Sequence, residues 1–569
     1  MLGLHRVAEA RADDASSDNG PCPPIRGWHE AKIECGVLET SGRRRQSPLR
    51  SRTELGKSWI ERTHGIQRDR GNAPESTPPG GKLRESALSL SATATRGGAA
   101  VVAGQVIKLG LLLVNLVVLG RLLSPADFGL LAMVMAVVGV GELFRDFGLS
   151  SAAVQAKSVT PAQKSNLFWI NSLLGLVLAG ACCAAATLIA SLYGDPRLVN
   201  VIIAISVTFL LNGIQTQFQV ELTRNHRFFT LAATDVASQV AGLAVAVVLA
   251  LSGAGYWALV GLQLGIATTL CILRVVAARW VPGLPSRRSE IRPFLEYGWH
   301  LGWAQIVGYI SYNIDSVILG ARSGAAALGL YNRAFQIITL PVVQLLGPLS
   351  NVVLPLLSRV ESKEVFVRAI TRIQLILSYT SAIFFGLLVA TAYPFVRLLL
   401  GPAWVQSAPI LQILSVGALF QVMTYTGYWV FLARALTRSL LRYNLVTKTF
   451  VILCVIVGSS WGPLGVAAGY SLGLVVSWPV SLLWLSRVSD FPVRETTPIA
   501  LRGIGLAIAV ASCGLLAGAL LTVDNTLLQF AVNTCGAVVG LAITLLHRPL
   551  RNELLQLATS ATQAVRRKL

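Results

Sequence analysis

About fourteen apolar segments follow one another between Gly98 and His547, and each is close to the length that crosses a bilayer. A helix needs roughly 20 predominantly apolar residues to span the hydrocarbon layer. Strands of a membrane barrel are shorter and alternate in polarity, and other backbone conformations would leave peptide groups without hydrogen bonds in lipid. The pattern therefore predicts an all-α polytopic membrane protein with about fourteen transmembrane helices.

The composition agrees with this prediction, since 53% of the residues are hydrophobic and only 13% are charged. A soluble domain carries about twice that share of charge. We expect the spans at 98–122, 128–150, 167–192, 198–220, 228–251, 255–278, 297–321, 327–356, 372–399, 406–433, 443–460, 463–486, 499–521 and 526–546.

Basic residues are distributed unevenly among the connections between these spans. Lys and Arg number 25 in or beside the connections after even-numbered spans, against five after odd-numbered spans: Arg121, Arg197, Arg322, Arg333 and Arg397. Because basic residues accumulate in short cytoplasmic connections, both chain termini are predicted to be cytoplasmic. The formal charge of +21 then reflects topology and attraction to anionic lipids, and it does not indicate nucleic-acid binding.

The two ends of the chain differ from the apolar region. Residues 1–95 mix charges of both signs with Pro, Ser and Gly and show no sustained periodicity. Such a segment cannot bury enough apolar area to order itself, so we expect a disordered cytoplasmic extension. Residues 549–569 combine leucines with Arg and Lys, a pattern typical of an amphipathic cytoplasmic helix on the membrane surface.

An internal repeat occurs at an offset of 200 residues. The segment NLVVLGRLLSPADFGL (115–130) aligns without a gap to DSVILGARSGAAALGL (315–330), with glycines matched at Gly120 and Gly320 and at Gly129 and Gly329. Six spans separate the copies, so both have the same orientation, as in parallel transporter repeats related by an axis along the membrane normal. We therefore predict two parallel six-helix lobes, at 96–292 and 293–496, followed by two additional transmembrane helices at 497–548.

Three stretches carry a resemblance to a known family. They are VVLGRLLSPADFGLLAMVMAVVGVGELFRDFGLSSAAVQ (117–155), LTRNHRFF (222–229) and NIDSVILGARSGAAALGLYNRAFQIITLP (313–341). With them the chain resembles the polysaccharide transporter family of the multidrug/oligosaccharidyl-lipid/polysaccharide flippase superfamily, over roughly residues 95–490.

The resemblance implies a function and a location. The expected function is that of a flippase, which moves undecaprenyl-pyrophosphate-linked oligosaccharide units across the bacterial inner membrane by alternating access, for lipopolysaccharide or exopolysaccharide biosynthesis. The expected partners are this lipid-linked substrate, membrane lipids, and a polysaccharide polymerase with other proteins of a synthesis complex.

Charged residues inside the spans are the candidates for substrate binding. A charge at the bilayer centre costs roughly 2.5–3.5 kcal/mol, so each needs a physical reason. Lys108 lies at the middle of the first span and is predicted to face the cavity and hold an anionic head group. The alternatives for Lys108 are a structural pair with an acid such as Asp315, or a side chain that snorkels along the helix.

A second group of candidates lies on one face of the second span. Glu142, Arg145 and Asp146 are spaced i, i+3 and i+4, so their side chains are neighbours on a helix. Arg145 could bind phosphate oxygens, with Glu142 and Asp146 as coupling or gating acids. The alternative is an ion cluster that anchors the helix at the inner membrane interface.

Further candidates lie in the second repeat and in span five. Asn313 and Arg333 are predicted to line the cavity. Asp315 is a candidate for ion or proton coupling, because a carboxylate removed from water is more easily protonated; its alternative is a buried pair with Arg333 or Arg322. Asp235 is a further coupling candidate, and its alternative is an interhelical hydrogen bond.

Two other functions remain as alternatives. A cation-coupled multidrug exporter of the same superfamily would favour acidic and aromatic cavity residues, whereas Lys108 and Arg145 favour anions. A membrane enzyme is disfavoured, because the outer connections are short and no D-x-D metal motif occurs in the chain. We expect no catalytic residues, no metal site and no cofactor.

Overall fold

The computed structural model describes residues 103–146, 149–156, 158–286 and 292–554. Within α2, α3 and α8, defined below, the side chains of residues 143, 145, 146, 155, 292–308 and 310–312 are not described. The predicted extension at 1–95 lies outside the described residues, as do residues 555–569 of the predicted tail.

The described residues form helices throughout, and twelve helical stretches among them are long and apolar enough to cross a membrane. The helices are α1 (Ala103–Leu122), α2 (Pro125–Asp146), the short α3 (Leu149–Gln155), α4 (Pro161–Tyr193), α5 (Arg197–Arg224), α6 (Phe228–Leu251), α7 (Trp257–Ala278), α8 (Arg292–Ser358), α9 (Lys363–Leu399), α10 (Ser407–Ala433), α11 (Thr437–Gly458), α12 (Gly462–Val488), α13 (Val493–Leu520) and α14 (Thr526–Thr544). The all-α polytopic class is therefore confirmed.

Helix α8 is a hairpin of two arms, at residues 292–323 and 325–358. The Tyr331 hydroxyl donates to Asp315 Oδ2 at 2.7 Å, whereas 16 residues of straight helix would separate the two by about 24 Å. The chain reverses at Gly324, which has φ 78° and ψ −178°, a conformation open essentially to glycine alone. The two arms therefore correspond to two separate predicted spans.

A second reversal joins α11 to α12 through a short 3₁₀ turn at Ser459–Trp461. The two helices touch through glycines, since a Cβ at Gly458 would overlap the carbonyl oxygen of Gly465, and a Cβ at Gly469 that of Cys454. With this reversal and the one at Gly324, the twelve stretches of the described residues contain fourteen membrane-length helices, the number predicted.

Two faces of the helix bundle are named here by a residue on each. The Gly324 face holds the α1–α2, α4–α5, α6–α7, α9–α10 and α11–α12 connections and the α8 turn. The Ser286 face holds the opposite helix ends, including the segment 279–286 after α7. This segment is fastened to α4, because Asn166 exchanges two hydrogen bonds with the Ser286 backbone, at 2.6 and 2.8 Å.

The two repeats meet at the Gly324 face through a reciprocal contact between α2 and the second arm of α8. A Cβ at Gly129 would overlap the carbonyl oxygen of Ala325, and a Cβ at Gly329 would overlap that of Pro125. Gly129 and Gly329 are 200 positions apart, and so are Pro125 and Ala325, so the two contacts are equivalent in the two repeats. Such an exchange of equivalent contacts is what a two-fold relation produces.

Other contacts close the same face. The Trp404 indole is fully buried and donates from Nε1 to the Gly120 carbonyl at 2.6 Å. Its ring packs edge-on against Phe128 with centroids 5.4 Å apart, and the Arg121 guanidinium donates to the Leu398 carbonyl. These contacts join α1 and α2 to the α9–α10 connection, so the Gly324 face is closed in this structure. The lobe boundaries at 96–292 and 293–496 stay a prediction.

Helices α13 and α14 pack against each other and against α9. The chain then returns to the bundle at the Ser286 face, where residues 548–554 are helical. Leu550 is only 4% exposed, and Glu553 accepts from Arg502 at 2.9 Å and from the Tyr379 hydroxyl. The described part of the predicted surface tail is thus held against α9 and α13.

Replacing Glu553 by alanine is expected to lower the free energy of unfolding by about 1–3 kcal/mol, because Arg502 and Tyr379 would lose a charged hydrogen-bonding partner. Thermal unfolding of the detergent-purified protein measures the effect. Asn552→Ala is the matched control, since Asn552 is exposed on the same turn. Equal melting temperatures for the two variants would contradict the docked arrangement.

Candidate substrate cavity and intramembrane ion cluster

A cavity of about 630 Å³ lies between the two repeats. Its walls come from α1, α2, α6 and α7 on one side and from both arms of α8 on the other. The reciprocal contact of Gly129 and Gly329 lies between the cavity and the Gly324 face, because the wall residues Leu131 and Arg333 follow the two glycines in the chain as α2 and the second arm of α8 run away from that face. The cavity is therefore a space between the repeats that the closed face covers.

Carboxamide side chains are unusually frequent in this wall. Seven of the lining residues carry one, from four helices and both sides of the cavity: Asn115, Gln239, Gln263, Asn313, Asn332, Gln336 and Gln344. A carboxamide offers two hydrogen-bond donors and an acceptor, so the wall can form hydrogen bonds with neutral hydroxyl groups in any orientation. Asn313 lies in this wall, and its Nδ2 also donates to the Tyr309 carbonyl at 3.0 Å. Its role in substrate binding stays a prediction.

Arg333 is a buried cation in the cavity wall. It is 7% exposed, donates from Nη1 to Gln336 Oε1 at 2.6 Å, and places its guanidinium carbon 3.6 Å from the centroid of the Phe128 ring. Its Nε has no hydrogen-bond partner. Among the described residues no carboxylate pairs with it, so an anion in the cavity would meet an uncompensated positive charge.

Asp315 lies in the same wall but does not pair with Arg333 or Arg322 among the described residues. Its Oδ2 accepts from Tyr331 at 2.7 Å and its Oδ1 from the Ser316 amide at 2.8 Å. Arg322 instead donates to the Ser459 hydroxyl at 2.6 Å. The alternative of a buried ion pair with either arginine is therefore wrong, and the partner that the sequence did not indicate is Tyr331 on the second arm of α8.

Lys108 lies outside the cavity wall, in an ion cluster between α1, α6 and α7. Its Nζ is 2.6 Å from Asp235 Oδ2, and Arg274 Nη2 is 2.6 Å from Asp235 Oδ1. Arg274 also donates to Gln215 and, at 2.8 Å, to Gln219. One carboxylate thus holds two cations, and the acid that pairs with Lys108 is Asp235 rather than Asp315.

The position of this cluster relative to the cavity follows from helix geometry. Leu112 lies four residues after Lys108, and Gln239 lies four residues after Asp235. Both Leu112 and Gln239 line the cavity. One helical turn is about 5.4 Å, so the pair lies one turn from the cavity on the side of the Ser286 face. The cluster therefore borders the cavity at the end opposite to the closed Gly324 face.

The three-residue group predicted on α2 is described only in part. Glu142 accepts from Asn212 Nδ2 at 2.9 Å and lines a smaller cavity of about 210 Å³ with residues of α5 and α7. The side chains of Arg145 and Asp146 lie outside the described residues. Their proposed roles in anion binding and gating stay predictions.

Three basic residues that were assigned to connections lie within helices. Arg274 is buried in the ion cluster and Arg333 in the cavity wall. Lys448 is exposed and lies at the middle of α11. They lie inside the predicted spans 255–278, 327–356 and 443–460, and the orientation that the basic residues predict stays a prediction. Among the described residues no group of three His, Cys, Asp or Glu side chains could hold a metal ion.

The fold and the cavity define an all-α polytopic membrane protein whose helices surround a polar cavity. The chain belongs to the polysaccharide biosynthesis protein family (Polysacc_synt_3), whose profile matches residues 118–409, just over half of the chain. The resemblance to the polysaccharide branch of the flippase superfamily is thereby confirmed, and the protein is a multi-pass bacterial membrane protein.

Individual relatives agree with this assignment. The chain is 26% identical to the lipopolysaccharide biosynthesis protein WzxC of Escherichia coli K12, over 65% of this chain and 76% of the relative. It is 25% identical to the teichuronic acid biosynthesis protein TuaB of Bacillus subtilis 168, over 57% and 67%. The structure of the lipid II flippase MurJ in an inward closed conformation is similar in fold, with a TM-score of 0.61 at 16% identity, covering 78% of this chain and 98% of MurJ.

Proposed function

We propose that this protein is a flippase that moves lipid-pyrophosphate-linked oligosaccharides across the bacterial inner membrane. The observation that carries the proposal is the cavity that combines the uncompensated Arg333 with seven carboxamides. The guanidinium suits the oxygens of a pyrophosphate, and the carboxamides suit the hydroxyl groups of sugars. The family assignment and the names of the relatives support the same substrate class.

In the transport cycle the two ends of the cavity would close in turn. Helix α2 and the second arm of α8 form the reciprocal contact and also line the cavity, so separating them would open the cavity at the Gly324 face. The distribution of basic residues supports an orientation with this face outside and both termini in the cytoplasm. The lipid chain of the substrate would stay in the bilayer while its head group crosses through the cavity.

The ion cluster offers a gate at the other end. Lys108 is 35% exposed at its side chain and is bound to Asp235, which also holds the buried Arg274. Lys108 could therefore exchange Asp235 for an incoming phosphate while Arg274 keeps Asp235 paired. In this role Lys108 binds the head group on entry and Asp235 acts as the gating acid.

A multidrug exporter is the second candidate, and the cavity favours it less. Asp315 is the one acid among the residues described in the cavity wall, and it already accepts two hydrogen bonds. A lipophilic cation would thus meet Arg333 without a free carboxylate. We also propose that the protein is not an enzyme, and that a polysaccharide polymerase and other synthesis proteins act beside it.

The test is flipping of a fluorescent lipid-pyrophosphate-linked oligosaccharide in proteoliposomes. Arg333→Gln is expected to lower the initial rate at least about tenfold, because the head group loses a charged hydrogen bond in a water-poor cavity. Arg333→Lys should keep part of the rate, since it keeps the charge but loses the planar fork. Arg397→Gln is the matched control, because Arg397 is exposed at the Gly324 face and does not line the cavity.

The outcomes separate the candidates. Flipping by the wild type that Arg333→Gln reduces and Arg397→Gln does not would support both the function and the site. Equal rates in all three proteins would overturn the site. Absence of flipping by the wild type, together with export of ethidium from loaded vesicles, would favour the multidrug exporter.

A further inference from the structure

A second cavity, of about 330 Å³, lies within the helices α10, α11 and α12 and is separate from the cavity between the repeats. Its lining contains Lys448 and no Asp or Glu. Lys448 is the twelfth of the 22 residues of α11, about 16 Å along the helix from Thr437. A lysine at that depth is costly without a partner, so its surroundings indicate what it binds.

The polar side chains of this cavity fall into two groups. The first group is already hydrogen-bonded within the protein. The Tyr443 hydroxyl donates to the Ser477 carbonyl at 3.1 Å, and each Ser and Thr hydroxyl donates to a backbone carbonyl of its own helix: Thr424, Thr447, Ser477 and Ser481. The second group has no hydrogen bond or ion pair among the described residues and comprises Lys448, Asn444, Gln421, Tyr425 and Tyr428. These five side chains are available to a ligand.

Helix geometry brings the five side chains together. Asn444 and Lys448 are spaced i, i+4 on α11, and Gln421, Tyr425 and Tyr428 are spaced i, i+4 and i+7 on α10. Each set therefore lies on one helix face, and both faces line the same cavity. Together they offer one ammonium, two amide groups and two phenolic hydroxyls, all of which can donate to the oxygens of an anion.

The surroundings indicate that the anion is carried by a lipid. The cavity reaches Phe431 and Leu440 near the Ser286 ends of α10 and α11, about 12 Å along α11 from Lys448. Beside it, Leu441 and Leu445 on α11 are 61% and 60% exposed, as expected of a helix flank that faces lipid. An amphiphile could keep its chains along this flank while its head group enters the cavity.

We propose that the cavity of α10, α11 and α12 is a binding site for a lipid-borne phosphate, with Lys448 as its cation and Asn444, Gln421, Tyr425 and Tyr428 as further donors. The lipid is either an anionic phospholipid of the bilayer or a polyprenyl phosphate. The site is distinct from the cavity that contains Arg333, and the proposal does not depend on transport through that cavity.

The experiment is a titration of the delipidated, detergent-purified full chain followed by native mass spectrometry. The probes are dioleoylphosphatidylglycerol, dioleoylglycerol, which lacks the phosphate, and undecaprenyl phosphate. We expect the wild type to bind the first phosphatidylglycerol about tenfold more tightly than Lys448→Gln does, because one charge-assisted contact is lost. Arg442→Gln is the matched control, since Arg442 is exposed on α11 and does not line the cavity.

Stability supplies a second readout. Without lipid, Lys448→Gln should melt no lower than the wild type, because it removes an unpaired intramembrane charge. Added phosphatidylglycerol should raise the melting temperature of the wild type more than that of Lys448→Gln. Tyr428→Phe, which removes one hydroxyl, should weaken binding by a few fold and provides a test if Lys448→Gln does not fold.

Each outcome decides one question. Displacement of phosphatidylglycerol by undecaprenyl phosphate at lower concentration would assign the site to the polyprenyl lipid, and the reverse order would assign it to the phospholipid. Equal binding of phosphatidylglycerol by the wild type, Lys448→Gln and Tyr428→Phe, or equal binding of dioleoylglycerol, would overturn the proposal.

Discussion

Replacing Gly129 by alanine is expected to lower flipping at least about a hundredfold while the protein still inserts and folds. A Cβ at this position would overlap the carbonyl oxygen of Ala325, and a backbone atom cannot move aside as a flexible side chain can. The closed Gly324 face could then not form, so the protein would remain open there. A transporter that works by alternating access needs both states, and loss of one stops the cycle.

Opening of that face can be measured directly. A cysteine at Asn332, in the cavity wall, should react faster with a membrane-impermeant maleimide in Gly129→Ala than in the parent, with the native cysteines replaced in both. Gly110→Ala is the matched control, because a Cβ at Gly110 in α1 meets nothing within 4 Å. Wild-type transport by Gly129→Ala would show that the closed face is not part of the cycle.

The reciprocal geometry adds a stricter test of the same idea. Gly329→Ala should have the same effect, because its Cβ would overlap the Pro125 carbonyl oxygen. The double variant should be no worse than either single variant, since each one already prevents the same contact and the effects are not additive. Independent, additive losses would contradict a single shared contact.

Replacing Asp235 by asparagine is expected to destabilise the protein by about 3–5 kcal/mol, the usual cost of removing one partner from a buried ion pair. The loss is large because Asp235 pairs with two cations, and one of them, Arg274, is only 5% exposed at its side chain. Urea-induced unfolding in detergent, or the melting temperature, measures the change.

Lys108 supplies the matched comparison for Asp235. Lys108→Met leaves the pair of Asp235 and Arg274 intact, so its cost should stay below about 1 kcal/mol, as for a partly exposed pair. Adding Lys108→Met to Asp235→Asn should recover part of the lost stability, because one of the two unpaired charges disappears. Failure of the double variant to recover any stability would mean that charge pairing is not what Asp235 contributes.

Much of the fold could be predicted because a bilayer imposes a length on every span. The number of helices, the position of most of them and the repeat at an offset of 200 residues follow from apolar runs and matched glycines. Helix ends were less predictable: the span predicted at 372–399 belongs to a helix that begins at Lys363. No apolar run marks that boundary.

The candidate site was predictable only in part, since the sequence shows which residues are polar but not which helices are neighbours. Asn313 and Arg333 lie in the cavity wall. The pairing of Lys108 with Asp235 joins residues 127 positions apart, and no periodicity reports that α1 packs beside α6. Lys448 was taken for a residue near a membrane edge because the polar start of α11 hides how far the helix extends toward the Ser286 face.

The contact of Gly129 and Gly329 has a consequence for how this chain can change over generations. The space allowed at each glycine is set by the backbone of the other repeat, at Ala325 and Pro125. A larger residue in one half cannot be accommodated by a smaller one in the other, because both are already glycine. At this contact each repeat therefore constrains the other, and the two sequences coincide at Gly129-Leu130 and Gly329-Leu330.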